Sequence, residues 1–235
     1  GRCACFPARD SAVTPPLQDA LPHPTAAAAS RFSRQRRLLL VSGLLTSAAL
    51  LPGCDRLGAP KASPFKSLDI SGATYARELN LRDPDGRRRS LGELKGKLPV
   101  VFFGYTQCPD VCPTTLTNLA EAQRLLGADG DKLVGVFVSV DPERDKPELL
   151  KSYVGSFSPN WLGLWGTADE VAAAAKEFKV FYRKVPGKTE SSYTVDHTAA
   201  SYVYDTQGRI RLYVRHATPP AELAADLKKL LDEAR

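Results

Sequence analysis

Two cysteines four residues apart, Cys108 and Cys112, carry the strongest chemical signal in the sequence. They lie in Gly104-Tyr105-Thr106-Gln107-Cys108-Pro109-Asp110-Val111-Cys112-Pro113, after the apolar run 100–104 and before a segment of helical spacing. Ligands of α/β sheets bind at such strand-to-helix joins. A helix N-terminus carries partial positive charge, which favours thiolate over thiol. A thiolate attacks disulfides or binds a soft metal, and positions i and i+4 share a helix face, so both sulfurs can meet one ion. The second piece is Asp196-His197-Thr198, ahead of the apolar stretch 199–204. Two thiolates and an imidazole make a soft three-donor set that suits Cu(I), and the imidazole suits Cu(II) as well. Zn is chemically possible with the same donors.

Other uses of these residues stand beside the metal. Cys108 and Cys112 could close a structural disulfide, although so small a loop stabilises little. They could also be a purely redox pair, one attacking a disulfide and the other resolving. Thioredoxin-like reductases usually have Cys-x₂-Cys and a Pro before the returning strand; here His197-Thr198 occupies that region. His197 could instead be a buried structural histidine bonded through Asp196. Asp196 either orients His197 from behind or caps a turn. Asp110 is expected to cap the helix that follows it. Residues 141–145 (Asp-Pro-Glu-Arg-Asp) hold enough carboxylate for Ca²⁺, but read better as a charged loop that caps the next helix, with Asp145 as the cap. His216 and His23 read as surface residues, and Phe102, Phe103, Trp161 and Trp165 as core aromatics.

The elements that must position these groups follow from pattern. Residues 79–91 contain Asp83-Pro84-Asp85-Gly86 between two short alternating stretches, a hairpin signal. Residues 100–104 and 133–140 are continuous apolar runs, as in strands buried on both faces. Helical spacing covers 113–126, 147–154 and 168–178, with a closing helix over 219–231. A short strand is expected at 161–165, a second hairpin from 180–185 and 193–195 around Pro186-Gly187, and strands at 199–204 and 209–214. This is an α/β order. With a cysteine pair at the first strand–helix join, it is the layout of a thioredoxin-like domain.

Composition places that domain at the end of a longer arrangement. Hydrophobic residues are 43% and charged residues 25% of 235, ordinary globular shares. Five cysteines are too few for a disulfide-stapled scaffold. Four of the six net positive charges lie in residues 1–53 (Arg2, Arg9, Arg31, Arg34, Arg36 and Arg37 against Asp10 and Asp19). The basic balance therefore describes a leader, and nucleic-acid binding loses its main support. Residues 1–30 are Pro- and Ala-rich, include Cys3 and Cys5, and show no core-forming period; a disordered extension or mistranslated upstream sequence is expected. Residues 31–53 join a basic stretch to an apolar run, 38–51, too short for the ~20 residues of a bilayer span. That is the form of a secretory signal. It ends in Leu51-Pro52-Gly53-Cys54, which resembles a bacterial lipobox with Cys54 as the lipidated residue; an uncleaved signal anchor is the alternative. Either places the domain on the extracytoplasmic (periplasmic) face of a bacterial membrane. Residues 54–66 read as a linker and 67–235 as the folded domain.

Three separated segments in order resemble the Sco/SenC family: Gly104-Tyr105-Thr106 with Cys108 to Pro113, Val138-Ser139-Val140-Asp141-Pro142-Glu143-Arg144-Asp145, and Asp196-His197-Thr198. The resemblance runs over about residues 65–232. It implies a thioredoxin-like fold with a hairpin inserted before the His motif, and one copper held by Cys108, Cys112 and His197. It implies a metallochaperone rather than an enzyme, delivering copper to the dinuclear centre of cytochrome c oxidase subunit II. The alternative is a thiol–disulfide oxidoreductase that uses Cys108 and Cys112 to reduce the acceptor's cysteines.

Overall fold

The computed structural model describes residues 63–189 and 192–234. The expected extension, signal segment, lipidated Cys54 and most of the linker lie outside the described residues.

The elements run β1 (Leu68–Asp69), β2 (Leu81–Arg82), β3 (Arg88–Arg89), β4 (Leu98–Gly104), α1 (Val111–Leu125), β5 (Leu133–Ser139), α2 (Pro147–Gly155), β6 (Leu162–Leu164), α3 (Ala168–Glu177), β7 (Tyr182–Val185), β8 (Thr194–His197), β9 (Ala200–Tyr204), β10 (Ile210–Arg215) and α4 (Pro220–Asp232). Every residue of β4, β5 and β9 is buried, which is why their sequences run apolar without alternation. They form the centre of a six-stranded mixed sheet ordered β1-β10-β9-β4-β5-β6. β4, β5 and β6 are parallel, and β9 lies antiparallel against β4. Parallel neighbours need a crossover, and α1 supplies the one between β4 and β5. Its buried residues Cys112, Leu116, Leu119 and Ala122 keep helical spacing, so the stripe that packs the core also carries one sulfur. β2–β3 and β7–β8 are separate hairpins. The mixed α/β architecture of a thioredoxin-like domain is thus observed, with both expected hairpins.

Several boundaries differ from expectation. α1 starts at Val111, two residues before Pro113, so Cys112 belongs to its first turn. β8 extends through His197, so this residue ends one strand and also precedes the next, β9. The domain also begins before residue 67. Phe65 is buried, and the fully buried carboxylate of Asp226 on α4 accepts the backbone N–H groups of Lys66 and Ser67 at 2.9 and 2.8 Å. Trp161, Phe102 and Phe103 are core residues, whereas Trp165 is half-buried and gives its indole N–H to the Asp83 carbonyl. Among the described residues, no helix is long and apolar enough to cross a membrane.

Candidate metal centre

The cysteine loop is made by the end of β4. Its backbone turns at once: the Cys108 N–H bonds the Tyr105 carbonyl at 3.2 Å, and α1 begins three residues later. The sulfur of Cys108 accepts the Cys112 backbone N–H at 3.4 Å. It thereby satisfies one of the free donors in the first turn of α1. Asp110 holds the N-cap position but makes no side-chain cap bond; its carboxylate takes the Thr114 hydroxyl at 3.2 Å. The expected carboxylate cap is therefore replaced by a sulfur one, because the loop brings Cys108 back over the helix end.

His197 arrives from the far side. Its Nε2 lies 3.4 Å from the Cys112 sulfur. Its Nδ1 lies 3.2 Å from the Thr198 carbonyl, a bond that puts the proton on Nδ1 and leaves the Nε2 lone pair facing the sulfurs. The rings of Phe102 and Tyr105 stand edge-on to the imidazole, with centroids at 5.8 and 6.0 Å. One donor atom from each of Cys108, Cys112 and His197 lies within 4.8 Å of the others, a convergence not repeated among the described residues. Neither cysteine is in a disulfide.

The two sulfurs differ in environment. Cys112 is fully buried, and Cys108 half-buried. The Cys108 thiol is pulled down to about 4, chiefly by the hydrogen bond from the Cys112 thiol and then by the N–H groups of Asp110 and Cys112. The Cys112 thiol is pushed up by the same bond and by burial. The pair thus shares one proton, held on Cys112. Cys108 and His197 open onto a surface cleft of ≈ 360 Å³ between Pro109, Val111 and Val195. Cys112 does not line that cleft.

The Cys112 sulfur needs room that only glycine leaves. A Cβ at Gly104 would sit 2.7 Å from it, and 2.9 and 3.0 Å from the Phe137 and Phe102 rings. Beneath the loop, Asp145 is buried. Its carboxylate accepts the Thr106 backbone N–H (3.2 Å), the Thr106 hydroxyl (2.6 Å) and the Ser139 hydroxyl (2.6 Å). Burial raises its carboxyl above the ordinary value, against these bonds. Asp145 is therefore not the cap of α2. Lys146 holds that position, and Pro147 at the first turn has no N–H to be capped. Nor is 141–145 an open carboxylate cluster: Asp141 is fully buried and taken by Arg144 and the Tyr193 hydroxyl.

Asp196 is not behind the imidazole. Adjacent strand residues point to opposite faces, and its exposed carboxylate pairs with Arg183 across the hairpin at 3.0 Å. His216 lies outside the cluster, half-buried, with Nδ1 3.1 Å from the Thr115 hydroxyl oxygen rather than free at the surface. Sequence reasoning missed the anchoring parts of Thr106, Ser139, Asp141, Arg144, Asp145 and Tyr193. The available signal was a dense charged run following a fully buried strand, where buried pairing is the way such charge is accommodated.

The chain that brings these groups together is similar to known proteins. The family model described as SCO1/SenC matches residues 69–232. A SCO2-like protein of Rickettsia prowazekii is 35% identical over 183 residues, 77% of this chain and 88% of that protein. The copper-bound structure of Bradyrhizobium japonicum ScoI is 44% identical and covers 65% of this chain and 97% of that one, with a TM-score of 0.59. The apo Sco1 protein of Thermus thermophilus is 36% identical with a TM-score of 0.64, over 73% of this chain and 99% of that one. With the matched region spanning the sheet, the cysteine loop and the His hairpin, the chain belongs to the SCO1/SenC family.

Proposed function

We propose that this chain is a copper metallochaperone, tethered on the extracytoplasmic face of a bacterial membrane, that delivers copper to the dinuclear centre of cytochrome c oxidase subunit II. The observation that carries the reading is the convergence of Cys108, Cys112 and His197 within 4.8 Å. The donor set suits the cargo: two soft sulfurs hold Cu(I), and adding the imidazole accommodates Cu(II). Cys108 is already thiolate at neutral pH, so it is ready to take an arriving ion. Cys108 and His197 face the cleft while Cys112 lies behind them. An acceptor therefore meets Cys108 and His197 first, and release proceeds by exchanging those donors before the buried sulfur. No covalent bond is catalysed. Tethering rests on the signal-like segment 31–53 and on Cys54 as its lipid site.

The test is titration of the reduced chain with Cu(I) and, separately, with Cu(II). One equivalent in each state, with a sulfur-to-Cu(II) charge-transfer band, is expected. No stoichiometric copper would overturn the reading.

A second reading is favoured by the asymmetry of the two thiols. Cys108 thiolate would attack an acceptor disulfide and expel one acceptor thiolate. Cys112 would then give up its proton and attack the mixed disulfide. The acceptor is left as two thiols and this chain with a Cys108–Cys112 disulfide. Against speed, a thiolate of such low pKa is a weak nucleophile. Reduction of a disulfide-bonded acceptor peptide by metal-free chain would establish this reading, and its absence would remove it.

A further inference from the structure

We infer that Arg144 is a positioning residue that sets the approach of His197 to the cysteine pair, an inference that rests on the copper reading of the site. The donors come from two segments far apart in sequence, and Arg144, in the loop between β5 and α2, touches both. Toward the hairpin, its Nη1 donates to the Tyr193 carbonyl at 2.9 Å, and its guanidinium lies over the Tyr193 ring, 3.6 Å from the centroid. Toward the cysteine loop, Nη1 reaches the Gln107 side-chain oxygen at 3.3 Å, and the guanidinium lies 5.6 Å from the Tyr105 centroid. Tyr193 immediately precedes β8, the strand that ends in His197, and Gln107 immediately precedes Cys108.

The clamp has a fixed base. Arg144 Nε bonds the fully buried Asp141 carboxylate, whose other oxygen accepts the Tyr193 hydroxyl at 2.7 Å. The Asp141 backbone N–H donates to the Ser139 hydroxyl oxygen at 3.1 Å, and that hydroxyl leads through Asp145 to Thr106. A guanidinium is suited to this post because its planar fork can bond and stack at once, which an ammonium cannot. The neighbouring Glu143–Lys184 pair also ties the loop to the hairpin, but both side chains are exposed, and such pairs hold little. Arg144 itself touches none of the three donor atoms, so its effect runs through the placement of the hairpin.

The consequence is a split between copper states. Cys108 and Cys112 are held by β4 and α1 whatever the hairpin does. Cu(I) is satisfied by these sulfurs, while Cu(II) draws on the imidazole. Loosening the hairpin therefore weakens Cu(II) selectively.

The experiment uses the full chain with Arg144→Gln and, separately, Tyr193→Phe, which removes the hydroxyl that bonds Asp141 and keeps the ring under the guanidinium. For Arg144→Gln the Cu(II) dissociation constant should rise about 10- to 100-fold, the range for losing support behind a ligand. The charge-transfer band should weaken, and the Cu(I) constant should not move. In metal-free chain, amide exchange over 193–197 should quicken about tenfold or more, while β4 and β5 keep their protection. Tyr193→Phe should show the same split, smaller, and decides the matter if Arg144→Gln does not fold. Unchanged exchange at 193–197, an unchanged Cu(II) constant, or equal loss of both copper states would overturn the inference. If the parent chain binds no copper, the copper reading fails by itself, and the exchange measurement still decides whether Arg144 holds the hairpin.

Discussion

The sulfur of Cys112 lies 3.4 Å from Nε2 of His197, although 85 residues separate them in the sequence. Cys112 is fixed by the first turn of α1 and the core beneath it, and His197 by the end of β8. The contact therefore reports the docking of the hairpin onto the sheet.

In the proposed copper site, that contact makes His197 the discriminating donor. Removing a direct donor should cost more than the ~10–100-fold seen when only its support is lost. His197→Ala is expected to lower Cu(II) affinity by more than about 100-fold and abolish the charge-transfer band, with a smaller effect on Cu(I). Full-affinity binding of both states by this variant, followed by competition with a chromophoric chelator, would remove His197 from the site.

The shared proton has a measurable consequence. Cys108, at about 4, is deprotonated well below neutrality, while Cys112 keeps its proton. At pH 8, loading Cu(I) on both sulfurs should release one proton per ion, counted in weakly buffered solution; two would contradict the asymmetry. The sign for stability follows from the lowered value. Stabilisation from the Cys108 thiolate is complete above its unfolded pKa, near 9, and is lost as pH falls through about 4. Denaturant midpoints should therefore fall on acidification across that window, and less so in Cys108→Ser.

Gly104 is where a single methyl should be felt at the cysteine pair. Gly104→Ala would push on the Cys112 sulfur and on two core rings. Overpacking of this kind costs about 1–3 kcal/mol. Urea unfolding should show that loss, accompanied by weaker Cu(I) binding. Stability lost with Cu(I) affinity intact would mean that the sulfur has room to move.

Asp226 is expected to govern the start of the domain rather than the site. Asp226→Ala leaves the Lys66 and Ser67 N–H groups without their acceptor. A loss of about 1–3 kcal/mol is expected for that buried polar arrangement. Proteolysis should move to residues 63–67, and copper binding should be unchanged. Cleavage that stays where it is in the parent would show that Phe65 alone anchors the segment.

Cys108, Cys112 and His197 as candidate donors, the helix at the cysteine loop and both hairpins were legible in the sequence. Cys108 and Cys112 sit at an apolar strand's end, and helical or alternating periods are written into consecutive residues. The roles of Asp110, Asp145 and Asp196 were not legible. A carboxylate near a helix start reads as a cap. Which backbone or side-chain donor it meets depends on how the loop returns, and Asp145 meets Thr106 and Ser139, one of them 39 residues away.

By itself, then, the sequence determined the chemistry available: two sulfurs and an imidazole in a strand–helix–hairpin order, because residue type and local period are properties of the chain alone. Only the tertiary structure decided how those atoms meet. Docking of the β7–β8 hairpin set the 3.4 Å contact, and the buried Asp141, Arg144 and Tyr193 joined that hairpin to the cysteine loop. Such long-range pairings leave no periodic trace, since each satisfies a buried charge or donor with whatever partner the fold brings near.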